Sequence, residues 1–496
     1  MSEQTALQTA YPAIVTRGDL GHFIDGGWHV SDGERLDTWN PATGEVLTTL
    51  ARGTSADVDR AVASSRRAFE GPWSRFTPYQ RQMALHRLHD LVDAHWEELC
   101  LIESLDVGVP LARMHATKDW TLRLIAYFAS QATAGAGETL PNSMPGNFTT
   151  MTLKAPVGVV GGIIPWNGPL MSEWWIVAAA LATGCTAVMK PAEDASLSVL
   201  RTAELVMEAG VPAGVVNVVT GLGREAGAAL AAHPDVDRIA FTGSTETGRE
   251  IIRASAVNMK RLQLELGGKS PDIVFADADL DVAVPGAAMG VFANSGQVCF
   301  AGTRVFVQRS IQDEFVARMA EFTRQIRVGD PLDLDTQLGP LISDKQLERV
   351  MGYVDIGGRE GAELVVGGRR MGGAHANGFF VEPTIFSQVS NDMRIAREEI
   401  FGPVISVIPF DTAEDALRLA NDTVYGLGGA VWSRDVGTVN TMVRGIQAGM
   451  VWVNCYGITD PSIGFGGYKQ SGYGWKGGPQ HIEGFLYQKA VYINGD

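Results

Sequence analysis

The sequence predicts an α/β protein: two units built on parallel sheets, plus a small β ribbon set apart from both. Three observations carry this. From residue 157 to residue 254, short apolar stretches alternate with longer stretches of helical spacing, the rhythm of βαβ units. The same rhythm resumes after residue 270. Between Gly135 and Pro156 it breaks into an alternating, β-branched run at 147–154, preceded by Pro141 and Pro145, which reads as extended chain.

The elements follow in order. After a short strand-rich start, Val58, Ala61, Val62, Ser65 and Phe69 recur at helical spacing behind Thr54 and Ser55, either of which can cap a helix. Pro78 precedes a second helix, read as continuous over 79–101. The apolar run 157–164 is a strand, 172–182 a helix and 187–190 a strand. Helix 196–209 is closed by Gly210; strand 215–220, helix 224–232, strand 238–241 and helix 246–254 follow. In the second unit, 272–275 reads as strand, 280–292 as helix and 304–308 as strand. The most apolar segment, 174–189, spans 16 residues and is interrupted by Thr183 and Gly184. A membrane-spanning helix needs ~20, so this one reads as buried core and no membrane partner is expected.

Composition narrows the function. At 496 residues and 53.1 kDa there is room for two or three domains. With 45% hydrophobic and 19% charged residues, the chain is neither disordered nor fibrous. Forty Lys and Arg against 56 Asp and Glu give a formal charge of −16, with the basic residues spread singly. Nucleic acid is therefore not expected as a partner. Cys100, Cys185, Cys299 and Cys455 lie too far apart for a disulfide framework or a CxxC metal site, so no metal is expected. The first twenty residues lack a basic start followed by an apolar stretch, and a cytoplasmic location is the expectation.

Several strand-to-helix junctions could carry chemistry. Gly221-Leu-Gly223-Arg-Glu-Ala226 matches the dinucleotide pattern GxGxxA, although a glycine-rich turn with tight helix packing reads equally well. One strand later, Phe241-Thr-Gly243-Ser244-Thr-Glu-Thr247-Gly248 forms a second such junction, where free N–H groups and the helix dipole suit a pyrophosphate. Lys190 and Glu193, at the carboxyl edge of a strand, could both reach ribose hydroxyls, or could be a solvated pair. In 261–265, Gln263 and Glu265 share the face opposite Leu262 and Leu264. Glu265 is thus either a solvent-side residue or a positioned general base. Residues 292–299 end a helix in a Gly-containing turn that presents Cys299. That thiol is either an inert core residue or a nucleophile with a base upstream.

Taken together, ELGGKSP at 265–271, FANSGQVCFAGTR at 292–304, PWN at 165–167, FTGS at 241–244, EEIFGPV at 398–404 and GFGGYKQSG at 464–472 resemble the signatures of the aldehyde dehydrogenase superfamily. They come in the family's order and separation, and the similarity runs from about Phe23 to Tyr492. The resemblance implies a Rossmann-like NAD-binding domain at 1–134 and 156–263 and an α/β catalytic domain at 264–466. An oligomerisation ribbon would span 135–155 and 484–496, in a homodimer or homotetramer. It implies that Cys299 attacks a small-molecule aldehyde, with the Asn167 amide and the Cys299 N–H holding the oxyanion of the thiohemiacetal. Loss of hydride to the nicotinamide leaves a thioester, which water activated by Glu265 hydrolyses.

For the cofactor, the resemblance implies contacts at Ile164, Trp166, Lys190, Glu193, Gly223, Phe241, Gly243, Ser244, Thr247, Glu399 and Phe401. Glu193 on the adenine ribose favours NAD over NADP, and the GxGxxA segment belongs nearer the adenine than the pyrophosphate. The substrate funnel would be lined by Gly168, Trp175, Val298, Phe300, Ile458 and Phe465. Gly168, Ala293 and Thr459 replace bulky aromatics of many relatives, which widens it. Residues 168–175 offer no cation for a distal carboxylate, and Glu173 adds the wrong sign, so a neutral, medium-sized apolar or aromatic aldehyde is expected. A semialdehyde, a quaternary-ammonium aldehyde held by aromatics, or a catalytically silent scaffold are the alternatives. Ile176 and Lys476 stand where some relatives carry a Lys and a Glu proposed to relay protons, so that route cannot operate here in the same form.

Overall fold

The computed structural model describes residues 11–31 and 33–496; residues 1–10, half of the stretch read above for a leader, lie outside them. Two large sheets organise the described chain. The first has eight strands in the order Gly472–Tyr473, Arg261–Glu265, Arg238–Thr242, Val159–Ile163, Thr186–Lys190, Val216–Val218, His22–Ile24 and Gly27–His29. Its five central strands are parallel and its edges antiparallel. The order reverses direction between Val159–Ile163 and Arg238–Thr242, and ligands of open α/β sheets bind at the carboxyl ends flanking such a switch. The second sheet has seven strands, in the order Glu363–Val366, Thr384–Ser387, Val404–Phe410, Arg304–Gln308, Pro271–Val274, Gly428–Trp432 and Met450–Val453, all parallel except the first. Leu486–Asn494 pairs along its whole length with Phe148–Pro156, and Thr139–Leu140 completes this third, small sheet.

Local chemistry explains most boundaries. Helix Ser55–Glu70 begins with a capping box in which Asp57 accepts the Thr54 backbone N–H at 2.9 Å. The helix expected over 79–101 is two helices, Pro78–Ala94 and Trp96–Val107, broken at His95 (φ −100°, ψ 14°). The His95 ring and Glu98 are 2.9 Å apart across the start of the second helix, and Trp96 is turned wholly into the core. The apolar run 174–189 is the end of helix Pro169–Thr183, a left-handed turn at Gly184 (φ 86°) and strand Thr186–Lys190. No helix among the described residues is long and apolar enough to cross a membrane. At 223–227 the expected helix opens instead as a π turn, Gly223–Gly227, before Ala228–Ala232.

Candidate active site

The chain crosses from the first sheet to the second at Glu265-Leu-Gly-Gly-Lys-Ser-Pro271. Glu265 ends its strand in register with Thr242, and Pro271 opens the next strand in register with Arg304. The segment before Arg304 therefore lies alongside the crossing, and that segment carries Cys299. A Cβ on Gly268 would sit 2.4 Å from the Cys299 carbonyl, so only glycine permits this approach.

The loop that presents Cys299 is strained and tightly held. Asn294 (φ 54°), Ser295 (φ 56°) and Gly296 (φ 73°) follow one another in the left-handed region, which costs on the order of 1–3 kcal/mol at each non-glycine. Specific bonds hold it there. Asn294 Nδ2 donates to the Asn167 carbonyl at 2.9 Å and Ser295 Oγ to the Gly339 carbonyl at 2.8 Å. Gln297 Oε1 accepts from the Ile342 N–H at 3.0 Å. Asn167, at the switch end of the first sheet, donates its amide to the Gln297 carbonyl at 2.8 Å, and that amide carries a second N–H.

The charges here form one group. Glu265 is 3% exposed and neither of its oxygens accepts a hydrogen bond from the protein. Burial pushes its carboxyl up to about 8, against the pull of Lys476. Of the two faces left open by the strand alternation, Glu265 therefore lies on a buried one. Cys299 is partly exposed, as a nucleophile must be. Desolvation pushes its thiol up to about 12, Lys476 pulls it down, and Glu265 and Glu399 push it further up.

Three places fit a dinucleotide. Lys190 Nζ and Glu193 Oε2 are 3.1 Å apart, Lys190 almost wholly buried and Glu193 half-open, so the pair is not a solvated one. Gly223 and Gly227 face Lys190, whose atoms a Cβ on either would meet at 3.9 and 3.7 Å. Ser244 caps helix Thr245–Ser255 by accepting the Thr247 N–H at 3.1 Å, both residues exposed, beside the switch point. Phe241 is buried under Gly243. The GxGxxA turn lies two strands from the switch, after Val216–Val218. Glu399 accepts the Gly268 N–H at 3.0 Å, and Gly267 leaves room for its carboxylate, which a Cβ would meet at 2.4 Å. Trp166 packs edge-on against Phe401 at 5.2 Å, and Ile164 is buried behind it.

Several residues expected in the funnel pack among aromatic rings. Trp175 packs at 5.6 Å on both Trp120 and Phe465, and Phe300 at 5.4 Å on Trp452. Val298 is half-buried next to Cys299, while Ile458 is 69% exposed, out at the rim. A Cβ on Gly168 would meet nothing within 4 Å. Glu173 does not face this space: it is fully buried and accepts from Thr202 Oγ1 at 2.6 Å, so the charge argument made from it above falls. Sequence reasoning missed Gln297 and Asn294 as loop supports, and Trp120, whose indole N–H donates to the Thr459 carbonyl at 3.1 Å. The one local signal was the density of Asn, Gln and Gly before Cys299.

A sequence model of the aldehyde dehydrogenase family matches residues 28–491. Human mitochondrial aldehyde dehydrogenase is 44% identical, over 95% of this chain and 91% of its own length. A crystal structure of an aldehyde dehydrogenase from Bacillus cereus is 42% identical, with a TM-score of 0.95 over 98% of this chain and 99% of that one. Betaine aldehyde dehydrogenase from Staphylococcus aureus, solved in complex with NAD+, is 39% identical, with a TM-score of 0.95 over 97% and 96%.

Proposed function

The chain belongs to the aldehyde dehydrogenase family, and from that premise we infer that it oxidises a neutral, medium-sized apolar or aromatic aldehyde to the acid through a thioester on Cys299. The observation that carries the reading is that the buried Glu265 carboxyl lies close enough to Cys299 to act on its thiol, while the Asn167 amide bonds the loop that carries Cys299. NAD is the cofactor, and when bound it supplies the two-electron acceptor.

The protein's own steps follow from the geometry. Cys299, as thiolate, forms the bond to the aldehyde carbon. The oxygen that becomes negative takes hydrogen bonds from the free N–H of Asn167 and from the Cys299 backbone, donors already fixed before reaction. Once an acyl thioester stands on Cys299, Glu265 takes a proton from water, the hydroxide adds to the carbonyl and the thiolate leaves. A carboxyl pushed up to about 8 is a stronger base than an ordinary one, but only its minor ionised fraction accepts a proton near neutral pH, and that fraction grows as pH rises through 8. Lys190 and Glu193 would hold the adenine ribose, Ser244 the pyrophosphate and Glu399 the nicotinamide ribose. Trp175, Phe465 and Phe300 would give the aldehyde an apolar wall. The 139–140, 148–156 and 486–494 sheet is the ribbon through which a homodimer or homotetramer would form, in the cytoplasm.

Rapid mixing with NAD and aldehyde, followed at the NADH absorbance, tests this. Cys299→Ala should give no NADH. Glu265→Gln should release up to one NADH per site and then stall, with turnover down about 10²–10⁴-fold. Wild-type turnover in Glu265→Gln would remove Glu265 from deacylation.

A further inference from the structure

Lys476 is 8% exposed, and among the described residues its ammonium has one hydrogen-bond partner, Thr242 Oγ1 at 2.7 Å. Thr242 stands beside Glu265 on the neighbouring parallel strand. The Lys476 backbone exchanges two 2.7 Å hydrogen bonds with Phe465, and Gly466 packs against the Glu265 carboxylate: a Cβ there would lie 3.6 Å from Oε1. The 465–476 hairpin thus closes over the base and brings a buried cation with it. The carboxylate nevertheless receives no hydrogen bond, and the cation is tied to a neutral hydroxyl instead.

We propose that Lys476 is the positioning residue that sets the charge of the reaction site: tethered to Thr242, its ammonium balances a single negative charge shared between Cys299 and Glu265. Moving the thiol proton from Sγ to the Glu265 carboxylate breaks an S–H bond, forms an O–H bond and leaves the site's net charge unchanged. The same ammonium therefore faces the thiolate before attack and the carboxylate when water must be activated. The tether matters as much as the charge. A direct ion pair would hold Glu265 as carboxylate and make it a poor proton acceptor, whereas a cation on Thr242 acts through space.

The surrounding groups support this. Lys476 draws down both Glu265 and Cys299. Burial lowers Lys476, and Glu265 and Cys299 hold it up. Glu399 opposes ionisation of Cys299. Behind Lys476, burial and Arg238 push His481 down to about 3, while the backbone carbonyls of Trp475 and Trp175, one at each ring nitrogen, pull the other way.

The proposal rests on the roles given to Cys299 and Glu265 above, so one arm of its test needs no aldehyde. Alkylation of Cys299 by iodoacetamide is followed against pH by peptide mass spectrometry, and kcat/KM against pH is measured in parallel. Lys476→Met should move both profiles up by about one pH unit or more, slowing alkylation about tenfold near neutrality, the scale of removing a nearby unit charge. Lys476→Arg should restore most of the shift. Thr242→Val, which keeps the cation but frees it to reach Glu265, should move the acid limb of kcat/KM the opposite way. Unmoved profiles in folded, NAD-binding Lys476→Met would overturn the proposal. If that variant does not fold, an unmoved acid limb in Thr242→Val overturns it. A shifted alkylation profile in an enzyme that makes no NADH would sink the proposed activity and leave this role standing.

Discussion

Asn167 Nδ2 donates to the backbone carbonyl of Gln297 at 2.8 Å, two residues before Cys299. This bond joins the end of one sheet's switch strand to the loop that precedes a strand of the other. The reverse bond, Asn294 Nδ2 to the Asn167 carbonyl at 2.9 Å, closes the link. Asn167, the proposed oxyanion donor, and the loop carrying Cys299, the proposed nucleophile, are thereby fixed to each other across the two sheets.

Asn167→Ala removes the side-chain donor but keeps the Asn167 carbonyl that Asn294 needs. Loss of one such donor costs about 10²–10³ in kcat. Affinity for NAD, measured by fluorescence titration, should stay within about twofold, since the proposed role puts the amide on the reacting carbonyl. A matching collapse of NAD binding would mean that Asn167 only supports the loop.

Glu193 should discriminate between cofactors. Its carboxylate, 3.1 Å from Lys190, can accept from ribose hydroxyls and repels a 2′-phosphate. The ratio of kcat/KM for NAD over NADP should be large in the native enzyme. In Glu193→Gln it should fall, because the ammonium of Lys190 is then free to attract phosphate. An unchanged ratio would move ribose recognition elsewhere.

The fold was legible where one element decides its own fate. Helix Leu280–Phe292 and strand Arg304–Gln308 fall where apolar pattern alone put them. The break at His95 was not, because helical propensity runs through it and Trp96 turns inward for tertiary reasons. The cast of the candidate site could be read from motifs, but its arrangement could not. Nothing local in Arg261–Glu265 says which face is buried; strand Arg238–Thr242 and a hairpin some two hundred residues later decide that. GxGxxA matched by spacing yet lies away from the sheet's switch point, which its spacing does not reveal and strand order does. Asn294 and Ser295 in left-handed conformation carry no sequence flag, since their strain is held by partners at 167 and 339.

Asp272 makes stability fall as pH rises. It is fully buried, and Oδ1 accepts from the Trp432 indole at 2.6 Å while Oδ2 has no partner. Burial raises its carboxyl from 3.8 to about 7. The folded state therefore binds the proton more tightly than the unfolded one. The associated stability is complete below about 4 and is lost as pH climbs through about 7. Asp272→Asn keeps the acceptor for Trp432 and removes the charge. It should be more stable than the native protein at pH 8, on the order of 2 kcal/mol, with much less difference at pH 5. Melting temperatures at the two pH values check this; an equal gap at both would exclude a titrating Asp272.

In the proposed reading, Gly168 sets how wide a substrate enters. It precedes helix Pro169–Thr183 in extended backbone that any residue adopts (φ 166°), and a Cβ there meets nothing within 4 Å, so a side chain can be added without disturbing the fold. A benzyl group at 168 would stand on the residue next to Asn167, in open space. Gly168→Phe should then lower kcat/KM for bulky aromatic aldehydes about 10–200-fold, the range that pocket contacts of this kind command, and leave short aliphatic aldehydes within a few-fold. The panel that measures this should include succinate semialdehyde and a trimethylammonium aldehyde. The native enzyme should prefer the neutral apolar members, because the described wall is aromatic and the nearby Lys476 is already tied to Thr242. A carboxylated aldehyde at the top of the native ranking would overturn the apolar reading of the pocket. A uniform loss across all chain lengths in Gly168→Phe would instead place residue 168 against the reacting centre rather than at the entrance.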